Sequence, residues 1–263
     1  MKVFAISDLH LSFQCDKPMD VFGENWANYE QRIMNDWNSK VGDDDVGIIA
    51  GDISWAMRMA ETEKDFEYIG KLKGTKIIVR GNHDYWWSTI TKVRENLPVG
   101  VHALQNDSLK VGDTAFAGTR GWKVPERNKS QSGEDKKIFN REVLRFEMSL
   151  KDAVGKMKRC HSERSEESQV TTDKSASTRD SSPLYAREAR NDKLIAILHY
   201  PPFNSMRDDS PFTALCEKYG VTACVYGHLH GKQGRAELLT EKKGVKYYLT
   251  SCDQVGFGVI EVQ

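Results

Sequence analysis

The chain is punctuated by short apolar runs that stop abruptly at a glycine, aspartate, asparagine or histidine. Residues 3–7 lead into Asp8-Leu9-His10, 45–50 into Gly51-Asp52, and 76–79 into Gly81-Asn82-His83-Asp84. Later, 194–198 lead into His199, and 221–226 into Gly227-His228-Leu229-His230. Runs of this length, mostly apolar and bounded by turn residues, predict strands buried on both faces. Between the early runs lie stretches with helical character. Trp26, Tyr29, Ile33 and Trp37 recur at helical spacing, which predicts a helix over about 25–40. Helices are also expected over 56–72, with Gly74 beyond as a stop, and over 86–96, ending before Pro98. This alternation predicts an α/β fold with a parallel sheet covered on two sides.

The remainder is richer in strand. Residues 101–104, 107–111 and 114–118 read as short strands, and 134–158 as a charged helix. A helix opens at Ser210-Pro211 and stops at Gly220, with proline early and glycine late. The end of the chain, 234–240, 245–251 and 257–262, reads as a β-meander turning at 242–244. One segment departs from this pattern. In 160–191, ten of 32 residues are Ser or Thr, six acids face five bases, and no apolar period is sustained. Such a composition buries too little surface to offset ordering entropy, so a disordered or weakly helical insertion is expected there. Its run CHSERSEESQ resembles translated copies of palindromic intergenic repeats found in some bacterial reading frames. The expected organisation is one domain over 1–263 interrupted by this insertion.

Composition narrows the function classes. Lys plus Arg and Asp plus Glu both number 38, giving zero net charge, which argues against a protein built around nucleic-acid backbone binding. No apolar run approaches a membrane span, and the five-residue run at the N-terminus is too short for a secretory leader. The five cysteines are odd in number and contain no C-x-x-C pair, which fits reduced thiols and a cytoplasmic location.

Eight ligand-type side chains therefore emerge directly after expected strands: Asp8, His10, Asp52, Asn82, His83, His199, His228 and His230. In open α/β sheets, ligands bind outside the carboxyl ends of the strands, where connections converge. Asp8 and His10 are two apart and point the same way on an extended backbone, as do His228 and His230. Each fragment alone is commonplace. A D-x-H occurs in many chains, Gly-Asp is an ordinary turn, and paired histidines are often surface residues. The set in this order, each member after an apolar run, is not commonplace. His102 and His161 stand outside it.

These five motifs resemble those of the calcineurin-like metallophosphoesterases, and the resemblance covers the chain outside the insertion. It implies two mixed β-sheets packed as a sandwich and flanked by helices. It also implies two divalent metal ions, one held by Asp8, His10, Asp52 and His230, the other by Asp52, Asn82, His199 and His228, with Asp52 bridging. Two such cations about 3.5–4 Å apart exceed the charge of Asp8, Asp52 and a bridging hydroxide, so the site would attract an anionic phosphoester and supply a nucleophile at neutral pH. His83 is left over as a non-ligand that would bind the phosphate or protonate the leaving oxygen, with Asp84 orienting its ring. Ligands of this kind suit Mn²⁺, Fe or Zn²⁺, and family habit favours Mn²⁺.

Departures from particular subfamilies bear on the substrate. Trp55 stands where purple acid phosphatases have a tyrosine ligand, and Asp84 where phosphoprotein phosphatases have glutamate. The expected reaction is hydrolysis of a small organic phosphate or nucleotide. A phosphodiesterase acting on nucleic acid or a cyclic nucleotide is the alternative, and a non-catalytic scaffold a remote one. Trp55, Arg58, Tyr85, Trp86, Arg120 and Arg207 lie on expected rim loops and are candidates for substrate contact, with core packing or solvated loops as the plain alternative.

Overall fold

A computed structural model describes residues 1–168, 192–231 and 237–263. Two mixed sheets form its centre. The first contains β1 (Val3–Ile6), β2 (Val46–Ile49), β3 (Thr75–Val79) and β4 (Val101–Leu104), all parallel, with β11 (Ile260–Glu261) antiparallel on the free edge of β1. The second has the order β5-β6-β7-β8-β10-β9. Its parallel centre is β6 (Thr114–Thr119), β7 (Lys193–Leu198), β8 (Ala223–Tyr226) and β10 (Val245–Leu249). The antiparallel edges are β5 (Ser108–Val111) and β9 (Leu239–Lys242).

The two-residue period of a strand explains how one apolar run serves two cores. Val3 and Ala5 of β1, Val46 and Ile48 of β2, and Ile77 and Val79 of β3 meet Phe116, Ile195, Ile197 and Val225 of the second sheet. The alternate residues point outward. Phe4, Ile6, Ile49 and Ile78 pack under α1 (Tyr29–Lys40), α2 (Glu63–Gly70) and α3 (Ile90–Asn96). Leu194, Ala196, Leu198, Cys224 and Tyr226 pack under α4 (Gly133–Ser168) and α5 (Pro211–Lys218). Tyr29, Ile33 and Trp37 form the buried stripe of α1, and Trp37 lies directly over Gly47 in β2, where a methyl group would overlap the indole. The result is the sandwich flanked by helices that the motif resemblance implies.

Several element boundaries differ from expectation. The helix expected from 25 begins at Tyr29, because Asn28 adopts a left-handed conformation and Glu24–Trp26 forms a separate 3₁₀ turn. The helix expected over 56–72 is divided into a 3₁₀ turn at Met59–Glu61 and α2. The third helix starts at Ile90 behind Thr89, whose hydroxyl caps Lys92 N. The helix expected to end at 158 continues to Ser168, through the first residues of the 160–191 segment, and 169–191 lie outside the described residues.

The expected C-terminal meander is corrected more deeply. β9 and β10 do form a hairpin, with Lys243 and Gly244 both at positive φ, the backbone that a two-residue turn of primed type requires. The last strand then leaves that sheet. The bond from Cys252 N to Ser7 O carries the chain across the seam, and β11 completes the open edge of β1. Residues 234–236 lie outside the described residues. None of the described helices is long and apolar enough to cross a membrane.

Candidate metal centre

The carboxyl ends of β1, β2 and β3 in one sheet and of β7, β8 and β10 in the other meet at a common rim. Backbone bonds stitch them there: Ser7 N to Thr250 O, Asp8 N to Gly51 O, and Gly227 N to His199 O. The side chains that follow these strands are thus delivered to one place from six directions.

Asp8, His10 and His230 form one group, and Asp52, His199 and His228 a second; within each group the candidate ligand atoms lie within 4.8 Å of one another. Asp52 Oδ2 lies between the groups, 3.4 Å from His199 Nε2 and 3.8 Å from His10 Nε2. Its Oδ1 accepts the backbone N–H of His83 at 2.8 Å. Asp8 accepts Ser7 Oγ at 2.6 Å and the backbone N–H of His228 at 3.0 Å, and its other oxygen lies 3.1 Å from His230 Nε2.

Second partners decide which ring atoms carry lone pairs. His199 Nδ1 donates to Ala50 O at 3.0 Å, which leaves Nε2 as the acceptor. That Nε2 faces Asn82 Oδ1 at 2.8 Å and Asp52 Oδ2 at 3.4 Å, so an imidazole lone pair, an amide oxygen and a carboxyl oxygen converge on one point. A divalent cation satisfies such a grouping, and the donor set therefore fits a metal. The titration of three of the rings agrees. Burial holds His10 and His228 down at about 3 and His199 at about 4, keeping these rings neutral. Burial, then repulsion from Asp8 and Asp84, pushes Asp52 up to about 9. Burial would also raise Asp8, but the His230 hydrogen bond and the nearby imidazoles hold it well below the usual carboxylate range. His230 behaves differently from the other rings: burial opposes its charge, yet bonds to Asp253 and Asp8 raise it to about 10.

The backbone is forced to achieve this convergence. Asp8, His10, Asp52 and His228 all have positive φ, between 47° and 73°, a region that side chains other than glycine rarely occupy. Such strain persists only where surrounding structure over-determines it, and it clusters at functional sites. Glycine permits the close approach of the loops. A Cβ on Gly81 would lie 2.1 Å from both Asp52 N and Asp52 Oδ1, and one on Gly227 would lie 2.4 Å from Asp8 Oδ2.

The remaining sequence candidates divide. His83 sits beside the cluster, its ring 4.5 Å from that of Trp55 and 5.6 Å from that of His10, and its buried Nδ1 has no hydrogen-bond partner among the described residues. Asp84 does not orient it, contrary to expectation. Its buried carboxylate accepts Gly81 N, Ile53 N, Ser54 N and Trp86 Nε1, so it ties the second and third motif loops together. Four inward donors leave it turned away from the His83 ring. Trp55 stacks on His10 at 4.7 Å and, with His10, His83, His230, Trp26 and Met19, lines a cavity of about 920 Å³. Tyr85 stands exposed next to His83.

Three candidates for substrate contact are corrected. Trp86 is buried against Phe66 and belongs to the core. Arg58 faces solvent and pairs with Glu61, three residues along. Arg120 lies over Trp122 in a separate cavity, and what reaches the site is its carbonyl, which accepts His199 N and Tyr200 N. Arg207 is ion-paired with Glu237 and borders a second cavity of about 510 Å³ shared with Tyr200 and His228.

Asp253 lies outside the five sequence motifs yet belongs to the centre. Its carboxylate accepts His230 Nδ1 and Gly231 N, both at 2.9 Å. The signal was present, since Asp253 also follows an apolar strand, β10, at the same rim. A carboxylate behind a ligating imidazole fixes its tautomer and raises its basicity. Asp253→Asn is expected to weaken metal affinity by roughly 10–100-fold while leaving the melting temperature nearly unchanged. Metal titration of the stripped chain, followed by calorimetry, checks this, and unchanged affinity would leave Asp253 with no part in the centre.

A two-sheet α/β sandwich with paired carboxylate–imidazole groups at its rim defines a metallophosphoesterase. The family model for calcineurin-like phosphoesterases matches residues 1–232, and the chain belongs to that family. Membership implies a phosphoric ester hydrolase, and the two donor groups suggest divalent metals. No curated protein matches the chain. Among solved structures, TT1561 of Thermus thermophilus is similar with a TM-score of 0.52 at 10% identity, over 99% of this chain and 97% of that one. This likeness shows the fold alone. A phosphopantetheinyl hydrolase from Mycobacterium tuberculosis gives 0.49 at 16% identity, over 99% and 95% of the two chains. The protein of unknown function AQ665 from Aquifex aeolicus gives 0.44 at 10%, over 99% and 95%.

Proposed function

We propose that this chain hydrolyses a small organic phosphate or nucleotide at a dinuclear metal centre, with Mn²⁺ as the native ion. The observation that carries the reading is the convergence of imidazole, amide and carboxyl donor atoms from both sheets around Asp52 Oδ2. In this reading Asp8, His10, Asp52 and His230 hold one ion, and Asp52, Asn82, His199 and His228 the other. Bound there, the ions supply an activated water and neutralise charge on the phosphoryl oxygens.

The chain's own groups do the rest. Asp253 and Ala50 O hold His230 and His199 in the ligating tautomer. Trp55 braces both His10 and His83. His83 presents its imidazole at the cavity, where it hydrogen-bonds the phosphate and hands a proton to the departing oxygen. The water oxygen adds to phosphorus, the ester P–O bond breaks, and the alcohol leaves. The cavity of about 920 Å³ is within the range of sites for small molecules. The thiols of Cys15, Cys216, Cys224 and Cys252 are free, which suits a reducing compartment, and we place the enzyme in the cytoplasm.

The test is a turnover panel on stripped chain resupplied with Mn²⁺, Fe²⁺ or Zn²⁺. Aryl phosphate monoesters, aryl diesters, nucleotides and single-stranded DNA serve as substrates. Turnover of small phosphoesters with Mn²⁺ restoring the highest rate is expected. Turnover confined to DNA would overturn the small-substrate reading, and absence of turnover on every substrate would overturn the hydrolase.

A further inference from the structure

A second polar cavity, of about 300 Å³, lies between α4 and the ends of β3 and β6, and the metal-centre chemistry makes no use of it. Its walls include four arginines, Arg80, Arg120, Arg141 and Arg145, and one carboxylate, Glu142. Glu142 is buried and already engaged: it accepts Thr119 Oγ1 at 2.8 Å and Arg145 Nη1 at 2.7 Å, and lies 3.7 Å from Arg141 Nε. Arg80 and Arg120 have no such partner among the described residues. Arg80 is half-buried, and its buried Nε makes no hydrogen bond among the described residues. The Arg120 guanidinium lies over the Trp122 ring at 4.6 Å and forms no ion pair among the described residues.

Four guanidinium groups around one shared carboxylate leave the cavity strongly positive, although the whole chain is neutral. A desolvated guanidinium without a partner is costly. Its donors form a planar fork that matches the oxygens of a phosphate. We propose that this arginine cavity is a phosphate-binding site distinct from the metal centre. It adjoins that centre through the backbone. Arg80 directly precedes Gly81-Asn82-His83, and the Arg120 carbonyl accepts the N–H groups of His199 and Tyr200. The same chemistry serves a second phosphate on the substrate or free phosphate from solution. Only the choice between these sources rests on the phosphohydrolase reading.

The first arm measures binding of radiolabelled inorganic phosphate to the full chain by equilibrium dialysis with chelator present, so that metal ions hold none of it. Saturable binding is expected, weakened roughly tenfold or more by Arg80→Gln or Arg120→Gln. Arg141→Gln, whose side chain is 52% exposed and outside the core, keeps the test open if the other variants fail to fold, and it should weaken binding in the same direction. Absence of saturable binding, or variants that bind as the parent does, would overturn the proposal.

The second arm compares KM for mono- and bisphosphorylated substrates in the Mn²⁺-loaded enzyme. A rise in KM for the bisphosphate alone in Arg80→Gln assigns the site to the substrate. A phosphate effect on monoester turnover that disappears in the variant assigns it to free phosphate. Phosphate binding without any phosphoester turnover would sink the hydrolase reading and leave the site standing.

Discussion

Asp52→Asn is expected to lower turnover by roughly 10³-fold or more, the loss of several kcal/mol of charge stabilisation at a two-metal centre. Metal content should also fall from about two ions per chain. Asn keeps the volume of Asp and can still accept the His83 N–H, so the loss is one of charge at the position between the two donor groups. The fold should not suffer. In stripped protein the Asp52 carboxyl is pushed up to about 9 by burial and by Asp8 and Asp84. A carboxyl raised in the folded state contributes stability that is complete at low pH and is lost as pH rises toward that folded value. His10, His199 and His228, held low by burial, make stripped wild type gain stability as pH rises to about 7, so the Asp52 contribution shows above that: from about 7 to about 9 stripped wild type should melt at lower temperature as pH rises, and stripped Asp52→Asn should lose the part of that slope that Asp52 carries beside His230.

His83→Ala is the contrast: metal content near wild type, with kcat lowered roughly 10²–10⁴-fold, as for loss of a general acid. Elemental analysis beside kinetics separates the two variants. Metal loss in His83→Ala would make His83 a ligand, and full turnover in chelator-treated wild type would end the metal mechanism.

The second large effect is expected from a single methyl group. Gly81→Ala would place Cβ 2.1 Å from the backbone nitrogen of Asp52 and equally close to its Oδ1. A clash with a flexible side-chain end could relax by a rotamer change, but a clash with backbone cannot. Either the Gly81-Asn82-His83 loop or the Gly51-Asp52 turn must move. Overpacking of this kind costs about 1–3 kcal/mol, which lowers Tm by several degrees at this chain length. Displacement of reacting groups by about 1 Å costs on the order of 10²-fold in rate. The expected signature is thus a modest fall in Tm with a disproportionate loss of both metal and turnover. A variant with wild-type metal content and kcat would show that the two loops are not held as closely as the structure places them.

Much of this was legible in the chain because each strand announces itself twice, once by an apolar run and once by the polar residue that ends it. The runs ending at Asp8, Gly51-Asp52, Asn82, His199 and His228 are buried on both faces, so period-2 alternation disappears and only length and punctuation remain. Those signals sufficed for β1, β2, β3, β7 and β8. They failed where tertiary partners decide. The short stretch 257–262 looks the same as a third hairpin strand or as a crossing strand, and the open edge of β1 settles it. Trp86 and Trp55 both follow motif loops, yet the first is drawn into the core by the bond to Asp84 and contact with Phe66, while the second faces the cavity.

The amino-acid sequence by itself determined the α/β character, the family, and which residues leave the strand ends, because these follow from local periodicity and from residue type. Only the tertiary structure decided how those residues combine. Local spacing cannot tell whether Asp84 faces His83 or four buried donors, whether Asp253 stands behind His230, or whether Arg80 and Arg120 share a cavity with α4. Most of these pairings join residues far apart in the chain. They depend on two sheets meeting at one rim, on glycines that let the loops approach, and on a backbone held at positive φ by everything packed around it.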